Sequence, residues 1–173
     1  MLRGVNVTGV NKIAMSGLRA LFEQLGHANV ATYIQSGNVV FTSDRDSSGL
    51  AGEIGRALES KLGLNVPAIV RAASELAAVL ESNPLDSGGR DPARLHVTFL
   101  DQVPHASAVA ALKNHASPPD DFVIEGSEVY LHCPGGYGNT KLNNTFWERR
   151  LRVTATTRNW KTVGTLARMA VAL

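Results

Sequence analysis

The residues best suited to chemistry in this sequence are a glycine loop and the basic side chain that follows it. Gly135-Gly136-Tyr137-Gly138 lies behind a β-rich run, Val129 to Cys133, and leads into Asn139-Thr140-Lys141. Glycines let backbone N–H groups come close to a ligand, and a helix opening near Thr140-Lys141 would add unpaired donors and a positive dipole end. Such a loop favours an anion, with Lys141 as a point charge. It is not the phosphate loop of P-loop enzymes, which needs Gly before Lys and Ser or Thr after it; here Thr140 precedes Lys141 and Leu142 follows. The plainer reading of the same residues is a glycine-rich connector with no ligand.

A second helix start is expected at Thr156-Thr157-Arg158-Asn159-Trp160, where hydroxyls and an arginine suit either capping or phosphate contact. Thr157 as cap and Trp160 as core anchor is the bland account, and convergence of Lys141 with Arg158 would weaken it. The ligand-binding set is therefore Gly136, Gly138, Asn139, Thr140, Lys141, Arg158 and Asn159. Arg3, Asn6, Gln35, Ser36 and Asn38 form a second polar set, for which turn chemistry is the preferred explanation. His132-Cys133 is not a nucleophile pair, because adjacent strand residues point to opposite faces and His132 cannot easily serve the thiol. His27, His96, His105 and His115 are dispersed without metal spacing. Asp120-Asp121 follow Pro119 in an expected turn and read as solvated. None of these is a strong catalytic signature.

Composition bounds what these residues can belong to. A chain of 173 residues, 44% hydrophobic and 18% charged, can bury a self-sufficient core and is not disordered. The single cysteine excludes an internal disulfide and fits a reducing compartment; no metal, and no cofactor, is called for. No apolar run approaches the roughly 20 residues of a spanning helix. The opening Met1-Leu2-Arg3-Gly4 lacks the apolar stretch of a secretory signal, so a cytoplasmic protein with no membrane partner is expected. Met1 sits inside the first strand instead of ahead of it, which suggests a truncated start. The net charge of +2 hides an asymmetry. From Lys141 onward seven basic residues face one acid, a balance of +6, while the first 140 residues carry ten basic and fourteen acidic groups, a balance of −4. Such a positive segment suits phosphates or an acidic partner, or is simply a solvated helix face.

The elements that must position these residues can be read from periodicity and punctuation. Strand Leu2 to Val7, a helix carrying Met15, Leu18, Leu21, Phe22 and Leu25, a hairpin of Val30 to Gln35 and Asn38 to Thr42 around Ser36-Gly37, a helix carrying Leu50, Ile54, Leu58 and Leu62, and strand Val66 to Arg71 give a ferredoxin-like βαββαβ order. Ser74 is expected to cap a short helix that Asn83-Pro84 stops. Residues 84–92 read as the linker between subdomains 1–83 and 93–173. The order then repeats: strand Leu95 to Leu100, a helix from His105 to His115, a hairpin of Phe122 to Glu125 and Glu128 to Cys133, the glycine loop, a helix from Lys141 to Arg150, and a last helix carrying Trp160, Val163, Leu166, Ala167 and Ala170. The fold class is α+β, a ferredoxin-like unit followed by a second βαββα-type unit, each a two-layer sandwich.

Several stretches carry a resemblance to a family. Leu2-Arg3-Gly4-Val5-Asn6-Val7 with Asn11-Lys12, Thr32-Tyr33-Ile34-Gln35-Ser36-Gly37-Asn38-Val39-Val40-Phe41, Gly136-Tyr137-Gly138-Asn139-Thr140-Lys141-Leu142, Glu148-Arg149, and Ala155-Thr156-Thr157-Arg158-Asn159-Trp160 occur in the expected order. Over essentially its whole length the chain resembles the domain-of-unknown-function family 1697. The resemblance implies a ferredoxin-like first half and no assigned activity. Thr8 stands where the family usually has glycine, Arg152 where a glycine often follows the helix, and the first strand is shortened.

These readings converge on a binding module for a phosphate-bearing ligand, a nucleotide or short nucleic acid. Nucleic acid is the weaker variant, because the aromatic fraction is 6% and no run of sheet aromatics for base stacking is present. The alternatives are an enzyme acting on a small phosphorylated metabolite, with Asn6, Gln35 and Asn139 orienting the substrate, and a protein–protein interaction module.

Overall fold

The computed structural model describes residues 1–7, 9–45, 47–86 and 89–173. The chain divides into two compact units, Met1–Leu76 with Leu166–Leu173, and Ala77–Thr165. The linker expected at 84–92 falls inside the second unit, and Leu166–Leu173 counts with the first. Ser87 and Gly88 of that linker, and Thr8, lie outside the described residues.

The first unit contains α1 (Met15–Gln24), β1 (Ala28–Tyr33), β2 (Asn38–Thr42) and α2 (Ser47–Leu62). Leu18, Leu21 and Phe22 recur at helical spacing and are the buried face of α1. The helix stops where Gly26 takes φ 84°: the Gly26 N–H donates to the Glu23 carbonyl and the His27 N–H to the Phe22 carbonyl, the two bonds of a Schellman cap. β1 and β2 pair antiparallel with Tyr33 opposite Asn38, so the hairpin loop is the four residues 34–37 and the first strand ends before Gln35. Gly37 has φ 73°, and a Cβ there would lie 2.4 Å from Val5 Cγ2 and 2.8 Å from Leu2 Cβ. Only glycine fits that approach.

The strands expected at Leu2 to Val7 and Val66 to Arg71 are not ladders. Gly4 and Asn6 take φ 68° and 53°, which breaks the extended path, and Pro67 has no N–H to donate. What remains is one bridge, Leu2 to Ala68, flanked by bonds from the Arg3 N–H to the Pro67 carbonyl and from the Ile69 N–H to the Met1 carbonyl. Leu2, Val5 and Val66 still join α1, β1 and α2 in one core with Leu18, Ile54 and Leu58. α3 (Ala73–Glu81) begins this unit's exit. Its first turn is closed by the Glu75 carboxylate, which accepts from the Ala72 N–H at 2.6 Å, and not by Ser74.

The second unit runs β3 (Leu95–Leu100), α4 (Ala106–Leu112), β4 (Asp121–Glu125), β5 (Glu128–His132), α5 (Asn144–Leu151) and β6 (Ala155–Asn159), with α6 (Trp160–Val171) following. Its four strands form one antiparallel sheet in the order β4-β5-β3-β6. All six residues of β3 are buried, as an interior strand covered on both faces requires. Leu112 of α4 and Trp147 and Leu151 of α5 pack with Leu100, Val129 and Leu131 on one sheet face. β6 replaces the helix start expected at Thr156-Thr157, so the unit is βαββαβ and not βαββα. Both units are mixed α and β with antiparallel sheets.

Candidate functional site

The glycine loop leaves β5 through Cys133, whose N–H donates to the Arg94 carbonyl at 2.9 Å. The chain then turns back on itself: the Gly136 N–H donates to the Cys133 carbonyl and the Asn139 N–H to the Gly136 carbonyl. Gly136 adopts φ 87°, ψ 148°, a conformation open to glycine alone. Tyr137–Asn139 form a single 3-10 turn, and the Asn139 side-chain amide donates to the Gly135 carbonyl at 2.8 Å. The N–H groups of Gly135 and Gly138 have no partner among the described residues. A Cβ on Gly136 would lie 3.1 Å from Arg94 Nη1, so a guanidinium stands against the loop.

The helix expected to open at Thr140-Lys141 opens later. Thr140 is extended and buried; its hydroxyl donates to Asp120 Oδ2 at 2.6 Å and accepts from the Leu142 N–H at 3.0 Å. Asp120 is thereby a hydrogen-bond partner and not merely a solvated turn residue. Asn143 caps α5 by accepting from the Phe146 N–H. Lys141 is exposed, outside any helix, three residues ahead of the first residue of α5. Cys133 is fully buried, and burial, followed by the nearby Asp120, pushes its thiol up to about 11. A thiolate is therefore disfavoured there, in keeping with an inert side chain.

Next to the loop, β3, β6 and α5 assemble a hydroxyl cluster that sequence reasoning missed. Register sets Thr98 opposite Thr157 and His96 opposite Asn159. Thr157 Oγ1 contacts Thr98 Oγ1 at 2.7 Å, Asn144 Oδ1 at 2.7 Å and the Tyr137 hydroxyl at 2.9 Å. Thr157 has one proton, and the Asn144 carbonyl oxygen can only accept. Thr157 therefore donates to Asn144, and both Tyr137 and Thr98 donate to Thr157. His96 stacks on Tyr137 with ring centroids 5.1 Å apart. Its Nδ1 faces the Arg94 carbonyl at 3.2 Å, which places the proton on Nδ1 and leaves Nε2 an acceptor. Burial holds the His96 pKa below its ordinary value.

Arg158 and Asn159 bond to the chain itself. Strand alternation turns Arg158 to the face opposite Thr157; it is buried, donating from Nη1 to Thr156 Oγ1 and to the Thr157 carbonyl. Burial lowers its pKa to about 10, with Tyr137 acting in the opposite sense. Asn159 accepts from the Thr162 N–H at 2.8 Å and thus does the capping expected of Thr157. Gly136, Gly138, Asn139, Thr140 and Lys141 do share one loop, joined by Arg94, His96 and Tyr137. Arg94 and His96 carry no sequence signal of their own, because only the β3–β5 register puts them beside the loop. The other cations are dispersed: Arg149 and Arg150 complement the C-terminal turn of α5, and Arg150 lies 5.7 Å from the Phe146 ring.

The second polar set is a set of main-chain ties. Asn6 donates from Nδ2 to the Ile13 carbonyl at 2.9 Å and to the Gln35 carbonyl at 2.8 Å, and its Oδ1 accepts from the Ile13 N–H at 2.9 Å. Asn38, fully buried, donates to the Tyr33 carbonyl and to Ser36 Oγ. Asn6 reaches Gln35 through the Gln35 carbonyl, and the Arg3 backbone N–H donates to the Pro67 carbonyl. Among the described residues no group of three or more His, Cys, Asp or Glu side chains could hold a metal ion.

Comparison with known proteins gives a family and a fold. A family model described as a protein of unknown function, DUF1697, matches residues 1–130. The motifs at 136–142, 148–149 and 155–160 lie beyond the matched range. No curated protein matches. A solved structure of a conserved bacterial protein from Streptococcus pneumoniae superposes with a TM-score of 0.73 at 24% identity, over 98% of this chain and 96% of that one.

Proposed function

This chain belongs to the DUF1697 family of proteins of unknown function, and from that premise we propose that its second unit binds a phosphate-bearing ligand at the 134–141 loop. The observation that carries the reading is a pair of N–H groups without a partner among the described residues, Gly135 and Gly138, in a glycine loop with the Arg94 guanidinium against it and Lys141 exposed at its end. Backbone donors arranged in this way make an anion nest, and a guanidinium supplies the directional charge that phosphate favours. A nucleotide or polyphosphate is the ligand class, with short nucleic acid the lesser variant. Arg158 is buried and bonded to Thr156 and to the Thr157 carbonyl, so the reading does not rest on it. We read both units as ferredoxin-like: the second by its βαββαβ order and strand sequence β4-β5-β3-β6, the first by the same order with its two outer segments reduced to a bridge. No helix among the described residues is long and apolar enough to cross a membrane, and the lone buried cysteine suits a cytoplasmic setting.

A specific observation favours a second reading, an enzyme acting on a small phosphorylated metabolite. His96, neutral and stacked on Tyr137, offers an acceptor Nε2 beside the same loop. Binding is tested with a thermal-shift panel of ATP, tripolyphosphate, glucose 6-phosphate and an RNA tetramer on wild type, Arg94→Ala and Lys141→Ala, at low and high salt. A ligand at about 100 times its Kd adds about 2.7 kcal/mol, a rise of roughly 5–10 °C at this chain length. The expected hit weakens in both variants. A hit untouched by Arg94→Ala, or a silent panel, overturns the loop as an anion site and moves attention to a protein partner.

A further inference from the structure

The second unit has a cavity of about 680 Å3 at the end of its sheet opposite the glycine loop. Register sets the two apart: the loop leaves β5 beside Leu95, whereas Gln102 to His105 follow Leu100 at the other end of β3. One wall of the cavity is drawn from residues 102–108 and the other from residues 150–153. Asp101 fastens the walls together, its N–H donating to the Thr154 carbonyl at 3.0 Å and its Oδ1 accepting from the Thr154 N–H at 2.9 Å. Arg150 and Arg152 both line the cavity and are exposed. Neither guanidinium has a carboxylate partner among the described residues, and no Asp or Glu among them lines the cavity. Arg150 lies 5.7 Å from the Phe146 ring centroid, a contact that engages the guanidinium face and leaves its N–H edge to other partners. On the other wall, His105 Nδ1 accepts from the Ser107 N–H at 3.3 Å and therefore carries no proton; the Ser107 hydroxyl at 2.7 Å donates to it, and Nε2 is a donor.

We infer that this cavity binds a small organic anion, with its oxyanion head, a carboxylate or a phosphate, at Arg150 and Arg152 and its apolar body against Val103, Pro104 and Leu151. Two guanidiniums without counter-charge in one concavity focus a positive potential there, and their forked donors match the oxygens of either head. Gln102, Ser107 and His105 supply further hydrogen-bonding groups, while Val103, 68% exposed, offers apolar surface that a ligand body would cover. The volume lies within the roughly 300–1,000 Å3 of small-molecule pockets. Arg152 adds a backbone argument. It stands at φ 57°, ψ 47°, where glycine is at ease and a side chain costs about 1 kcal/mol or more. Strain kept at one position to hold a charged side chain in a cavity is the mark of a functional placement. This site shares no residue with the 134–141 loop and stands or falls apart from it.

The probes are 4-phenylbutyrate and 3-phenylpropyl phosphate, which share one apolar body and differ in the head. The controls are 3-phenylpropanol, which lacks the charge, and inorganic phosphate, which lacks the body. A 15N-resolved NMR titration of the full chain should show saturable shifts at Gln102, Val103, Ser107 and Arg150 to Val153 with at least one probe, and the tighter of the two names the head. Binding should weaken at least tenfold for either control, and at least tenfold in Arg150→Gln and in Arg152→Gly. The glycine variant relaxes its backbone, so a loss of binding there cannot be laid to unfolding. Shifts confined to Gly135 and Gly138 would place the probe at the loop and overturn this cavity as an anion site. So would probes that leave 102–107 and 150–153 unshifted, equal affinity for 3-phenylpropanol or for inorganic phosphate, or an unchanged titration in Arg152→Gly.

Discussion

Replacing Thr157 by valine keeps the β-branched shape that β6 requires and removes one oxygen. That oxygen is the meeting point of three hydrogen bonds, two received from Tyr137 and Thr98 and one given to Asn144. An ordinary hydrogen bond contributes about 1 kcal/mol net, and a buried group left without a partner costs about 1–3 kcal/mol. Tyr137 and Asn144 are half-buried and can turn to water, so each loss should stay near the lower figure. Thr98 is fully buried and has no such recourse. The sum for Thr157→Val is about 3–5 kcal/mol, whereas Thr98→Val, which deletes only a donor to an oxygen that keeps two other partners, should cost about 1 kcal/mol. The double variant should cost clearly less than the sum of the two, because the valine at 157 has already orphaned Thr98. Urea unfolding of the four proteins of this cycle, read as changes in midpoint at constant m, gives the three differences. Equal costs for the two single variants, or strict additivity, would refute the directed cluster and leave the hydroxyls as independent surface-like groups.

Three further outcomes follow from individual residues. His27 is 5% exposed, packed beside Phe22 and Phe41, with no partner for Nε2 among the described residues. Burial, opposed by Glu53 and aided by Arg45, lowers its pKa below 6.5. The unfolded chain then takes up the proton first, so stability should fall as pH drops below about 6.5 and level off beneath the folded pKa; His27→Leu should flatten part of that slope in unfolding curves between pH 7.5 and 5, leaving the share due to His96, and an unchanged slope would contradict the burial argument. Gly37→Ala should lower the Tm by roughly 5 °C or more, since its Cβ would meet Val5 and Leu2 at positive φ with a cost of about 2 kcal/mol or above; a neutral outcome means that the 34–37 turn is free to move away. Arg152 ends α5 in the left-handed region at φ 57°, ψ 47°. Arg152→Gly should stabilise by about 0.5–1 kcal/mol in denaturant titration, and a loss would show that the arginine side chain compensates for its backbone.

At that last position the resembled family often has a glycine, and the left-handed cap at Arg152 gives the physical reason. The helices were legible because Leu18, Leu21, Phe22 and Ile54, Leu58 repeat at a helical period and Gly26 and Gly63 stop them. The outer strands of the first unit were overread: Leu2, Val5, Val66 and Ile69 are apolar and buried, but left-handed residues at 4 and 6 and Pro67 prevent a ladder. β6 was missed for the opposite reason. Thr-Thr-Arg-Asn has no apolar alternation and abuts the helix at Trp160; its pairing with β3 joins residues 59 apart in sequence, Thr98 and Thr157, and no local pattern signals that. The glycine loop was visible in composition, yet its helix start was placed at Thr140 because hydroxyls cap helices. Here that hydroxyl is spent on Asp120, and Asn143 takes the cap. Arg94 and His96 enter the site only through strand register, so tertiary pairing, not motif, completes the loop.

The claim on which the functional reading stands is that the Gly135 and Gly138 amides receive an anion. A 15N-resolved NMR titration of the full chain with tripolyphosphate, run on wild type and on Arg94→Ala, tests it directly, since glycine amides resonate apart from most others. Saturable shifts are expected at Gly135 and Gly138, with weaker effects at Tyr137 and Lys141, and at least tenfold weaker binding in Arg94→Ala. Shifts confined to the exposed arginines of α5, or an identical titration in the variant, would contradict it.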